Sequence, residues 1–220
     1  MYPILFYPYM FILALCVSVG AYRFKILRKN SRLVFILPVL ALVNETLVYL
    51  IKLNFNQQLP ENHKYLFPFY HAYILSIFIL FILYFANTIN LRVQNIKYLI
   101  LVAIIAECVN TIYFQHLDQF NSNMCILESF VATIFALYCL YTILINEQIG
   151  NALKYPHFWF WTLILMSSCC TFFFWALIAV FQQNKIYLSV ALNVSILINT
   201  LYYTGFALVF YYFPKMQTHD

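Results

Sequence analysis

Long apolar runs separated by short polar breaks account for most of the chain. Seven runs stand out, at 3–22, 33–53, 66–86, 98–114, 124–145, 158–181 and 186–213. A helix needs about 20 predominantly apolar residues to cross the hydrocarbon core of a bilayer. A membrane β-barrel would instead show alternating segments of about 10 residues, and no such alternation is seen. The pattern therefore predicts an all-α bundle of seven transmembrane helices that occupies residues 1–220 as a single domain. The longest hydrophilic stretch, 52–64, is too short to build a core of its own, so no soluble domain is expected. The fourth run is the shortest and most polar. The seventh is longer than a bilayer requires, which predicts a tilted helix or one that continues into water. The opening segment MYPILFYPYMF has no basic residue ahead of its apolar block, so the first run reads as a retained span and not a cleaved leader.

Composition sharpens this picture. Hydrophobic residues make up 65% of the chain and charged residues 9%, whereas a soluble domain carries about 25% charged residues. A water-soluble fold is excluded. The formal net charge of +5 does not point to nucleic acid, because the basic residues gather at the ends of the apolar runs and act first as topology signals. Arg23, Lys25, Arg28, Lys29, Arg32, Arg92, Lys97, Lys154 and Lys215 fall on one side of the bilayer, against Lys52, Lys64 and Lys185 on the other. This asymmetry predicts an N-terminus outside and a C-terminus in the cytoplasm of a bacterial inner membrane. It also marks the first cytoplasmic connection, with Arg28 and Lys29, as the surface for a partner. Aromatic residues are expected at the headgroup boundaries: Tyr65, Phe67, Phe69, Tyr70 and Tyr73 on the outer side, and Tyr155, His157, Trp159 and Trp161 on the inner.

Candidate chemistry is sparse. Glu45, Glu107 and Glu128 fall inside spans, and no Lys or Arg lies deep in a span to neutralise them. A charge at mid-bilayer costs roughly 2.5–3.5 kcal/mol on insertion scales, and such groups usually face the interior of a bundle. With the predicted topology, Glu45, Glu128 and His71 lie in the outer half and Glu107 near the middle. Glu107, Asn110 and Thr111 share one helical stripe, as do Glu45 and Tyr49, and Asn199, Tyr202 and Tyr203 share another. These positions predict an outward-facing polar pocket between spans two to five and seven. Glu45, His71, Glu107, Asn110, Glu128 and Asn199 would bind a small ligand or a proton.

Several classes are set aside. There is no G-x-S-x-G, no H-E-x-x-H and no paired histidine motif, so no catalytic residue is assigned. The six cysteines form no C-x-x-C pair and have no histidine at ligand spacing, so neither metal nor cofactor is expected. A retinal Schiff base would need a lysine in the middle of the seventh span, and Lys185 lies at its edge.

The segments NETLVYL (44–50) and NHKYLFPFYHAYILSIFILFILYF (62–85) resemble the short seven-span membrane modules widespread in Bacteroidota. Those modules occur alone or as the sensor part of histidine-kinase-like proteins. The resemblance implies the same seven-span topology and a sensor role. The chain departs from the pattern in the third span, where Ser76 stands in a region that often holds an acid. It carries no kinase or DNA-binding output domain, so the sensor reading calls for a signalling partner. The alternative is a small-solute or proton-coupled transporter, with Glu107 as the coupling group. Transporters of this kind show broken helices in both halves. Here there are three glycines, and no proline is expected deep within a span.

Overall fold

The computed structural model describes residues 5–27, 29–55, 66–145, 152–182 and 185–216, without the side chains of 29, 52–55, 178–182, 185–189, 191 and 213–216. The described residues form seven long helices: α1 (Phe6–Arg23), α2 (Lys29–Phe55), α3 (Phe67–Thr88), α4 (Val93–Val109), α5 (Ser122–Ile145), α6 (Pro156–Gln182) and α7 (Lys185–Met216). All seven are long and apolar enough to cross a membrane. The chain is a multi-pass helical membrane protein, and its outward surface contacts lipid.

Proline helps set the starts. Pro8, Pro68 and Pro156 stand in the first turns of α1, α3 and α6, where a helix needs no N–H donor and a fixed φ favours the next turn. Pro214 falls in the last turn of α7, and one proline lies deep in a helix. Pro38 is inside α2, more than two turns from its start, which corrects the expectation that no span is so interrupted. It leaves the Val34 carbonyl without its helical donor. Between α3 and α4 the chain turns in four residues. Asn90 takes a left-handed φ of 55°, and the Leu91 N–H returns to the Ala86 carbonyl at 2.8 Å, closing α3 with a Schellman-type cap. Hydroxyls on lipid-facing surfaces bond within their own helices, as Ser76 does to the Ala72 carbonyl and Thr142 to that of Tyr138, so these donors are not left bare in hydrocarbon.

Six helices close a ring. α1 packs on α7 and α2, α2 on α3, α3 on α5, α5 on α6, and α6 on α7. α4 stands outside the ring, against α3. It buries only a narrow stripe that includes Ala103 and Glu107. The faces bearing Leu101, Val102, Ile105 and Ile112 are exposed. Toward the end where α2, α4 and α6 begin, the ring is filled by a tight layer. Leu13, Val34, Tyr84, Ala136, Phe160 and Phe206 bring a fully or almost fully buried side chain from each ring helix, and Trp161, Ile164 and Phe210 thicken it. Within it Tyr84 stacks on Trp161 at 4.6 Å between centroids and meets His157 Nδ1 through its hydroxyl at 2.7 Å. Trp161 and His157 are therefore core residues and not headgroup anchors. Trp159 does remain near the surface, donating its indole N–H to the Leu153 carbonyl at 2.8 Å. Tyr70 and Tyr73 also leave the expected outer belt and turn into the ring.

Candidate functional site

Above the packed layer the ring encloses a cavity of about 550 Å³. It lies toward the end where α1, α3, α5 and α7 begin. Every ring helix lines it: α1 through Phe6 and Tyr9, α2 through Glu45 and Tyr49, α3 through Tyr70, Tyr73 and Phe81. α5 adds Glu128 and Ser129, α6 adds Ser167, Ser168 and Trp175, and α7 adds Ser195, Asn199, Tyr202 and Tyr203. α4 contributes nothing, and α6, expected to stand aside, supplies a row of hydroxyls. The phase of each helix explains these choices. Glu45 and Tyr49 are one turn apart on α2, and Asn199, Tyr202 and Tyr203 form one stripe of α7, so each set reaches the same wall. The lining joins aromatic faces to hydroxyls, an amide and two carboxylates. No Lys, Arg or His is among the described lining residues.

The second polar group is separate. At the end of α4 the helix widens into a π-helical turn, Asn110–Phe114, a feature often found at functional positions. Glu107, one turn earlier, is almost wholly buried. Its Oε1 lies 2.7 Å from His71 Nδ1 on α3. Asn121 Nδ2, in the loop before α5, donates to both carboxylate oxygens at 2.9 and 2.8 Å, and Thr111 Oγ1 donates at 3.3 Å. Asn110 Nδ2 in turn donates to Asn121 Oδ1 at 2.7 Å, and Asn123 Nδ2 to Asn110 Oδ1 at 3.1 Å.

The protons in this cluster can be counted. His71 Nε2 is 3.1 Å from the Gln119 carbonyl oxygen, which can only accept, so Nε2 carries a proton. Nδ1 and Oε1 then share one more, either as imidazolium facing carboxylate or as a carboxyl donating to imidazole. In both cases Glu107 is satisfied on every side. The cluster fastens α4 to α3 and to the start of α5.

The predicted residues thus divide into two sets. Glu45, Glu128 and Asn199 line the cavity, while His71, Glu107 and Asn110 belong to the clasp. Arg28 and the side chain of Lys29 lie outside the described residues. Sequence reasoning missed Asn121, whose position in a polar loop gives no sign that it is fully buried. It also missed Tyr9, Trp175 and the serines of α6, which resemble the rest of an aromatic, hydroxyl-dotted bundle. No protein-family model, curated protein or solved structure matches the chain.

Proposed function

We propose that the protein is a ligand-responsive component of a bacterial inner membrane, of sensor type, with the N-terminus outside and the cavity on the outer side. The single observation behind this reading is a cavity walled by all six ring helices and floored by a packed layer. A molecule held there touches every ring helix at once. Its differential affinity for two packings of the ring can shift the population between them. The basic residues Arg23, Lys25, Arg32, Arg92, Lys97 and Lys154 lie at the opposite end of the bundle, where the positive-inside rule places the cytoplasm. A partner docked on that face, near Arg28 and Lys29, receives the shift.

The test is genetic. Ser168→Phe, on the cavity wall, fills the space without removing a hydrogen bond seen in the structure. In the cell of origin, a chromosomal copy carrying Ser168→Phe should reproduce the transcriptional changes of a deletion while the protein is still made and inserted. A folded, filled protein that behaves as wild type would refute the reading. Solute accumulation in proteoliposomes against a gradient would make the protein a transporter instead.

A further inference from the structure

The three intramembrane acids are treated differently. Glu107 accepts from Asn121 and Thr111 and shares a hydrogen bond with His71. Glu45 has contacts within the protein. Glu128 faces the cavity, and among the described residues none hydrogen-bonds or ion-pairs its carboxylate. Tyr73, Tyr202 and Tyr203, from α3 and α7, line the same cavity. A carboxylate held away from bulk water carries a large desolvation cost that either protonation or a counter-charge relieves, and the described wall supplies no counter-charge.

We propose that the cavity takes an organic ammonium ion, with its nitrogen against the Glu128 carboxylate among Tyr73, Tyr202 and Tyr203 and its apolar body toward Ile77 and Phe81. The inference rests on the reading of the cavity as a ligand site. Aromatic faces attract a cation through their quadrupole, and they do so most strongly where water is excluded. A bare metal ion does not fit this site: the volume is far larger than an ion needs, and among the described residues no cluster of three or more His, Cys, Asp and Glu could hold one. Ligand pockets of about 300–1,000 Å³ hold molecules of drug size, which suits an ammonium carrying a ring or branched chain.

Trp175 provides the signal, since it lines the same cavity and stacks on Phe120 at 4.5 Å. The protein is placed in phosphatidylcholine nanodiscs and its tryptophan fluorescence is followed. Benzyltrimethylammonium and phenethylammonium are titrated beside neutral 2-phenylethanol and sodium chloride. The two ammonium ions should change the emission saturably, and Trp175→Phe should remove the change. 2-Phenylethanol should bind at least tenfold more weakly. Glu128→Gln should raise the ammonium Kd at least tenfold and leave 2-phenylethanol unaffected. Equal binding of 2-phenylethanol overturns the ammonium assignment while leaving the cavity a ligand site. The same response to sodium overturns it in favour of an inorganic ion. Silence from all probes, with the protein folded, overturns the ammonium assignment and leaves the Ser168→Phe experiment to judge the cavity alone. The comparison of probes on the unmodified protein does not depend on any variant folding.

Discussion

Replacing Glu107 by glutamine puts an amide N–H₂ in place of one of the two oxygens that accept from Asn121 Nδ2, so donors face donors in a buried site. A buried polar group left unsatisfied costs about 1–3 kcal/mol. Glu107→Gln and Asn121→Ala should each destabilise the protein by an amount in that range, read as a lower thermal midpoint in detergent. Glu128→Gln, with no intramolecular bond to lose, should stay within about 0.5 kcal/mol of wild type. Equal losses at Glu107 and Glu128 would contradict the division drawn here. The three intramembrane acids were legible as residues that must turn away from lipid, because an apolar run announces any carboxylate inside it. Which acid is fastened and which is left to the cavity was not legible. That depends on Asn121, whose loop could have placed it anywhere.

Among the elements, α4 illustrates what a hydrophobic pattern shows and what it conceals. Its apolar length marks it as a span, but length does not say whether a span joins the ring or leans on it. The narrow buried stripe decides that. Ala103, packed near Ile74, Phe78 and Ile82 of α3, is the small residue that lets α4 approach. Ala103→Leu should cost about 1–3 kcal/mol by overpacking, whereas Ile105→Ala on the lipid face should cost less than 1 kcal/mol, both read by thermal unfolding. The contact of α6 with α7 has a similar requirement at Gly205, where an added Cβ would overlap Leu163. Gly205→Ala should destabilise by a comparable amount, and combining it with Leu163→Ala should recover part of the loss, since residues in contact are not additive. The proline in α2 shows the limit of breaker rules. Pro38 lies inside the run read as one span, and packing on α1 and α3 accompanies the helix through it.

At the scale of the whole molecule, seven spans and their polar breaks followed directly from hydropathy, with ends that moved by a few residues; α4 starts five residues earlier than expected. The ring and its cavity did not follow, because helix neighbours are set by side-chain fit that a single sequence does not encode visibly. Orientation can be measured. Green fluorescent protein fused after residue 220 should fluoresce and alkaline phosphatase there should be inactive; the reverse result would invert the bundle. The packed layer under the cavity has one more effect. Phe160, Trp161 and Phe206 are fully buried across the ring below the cavity, so the protein should act as electrical insulation although it is hollow on one side. Liposomes containing it should hold an imposed pH gradient as long as empty ones, whereas Trp161→Ala should let protons seep through.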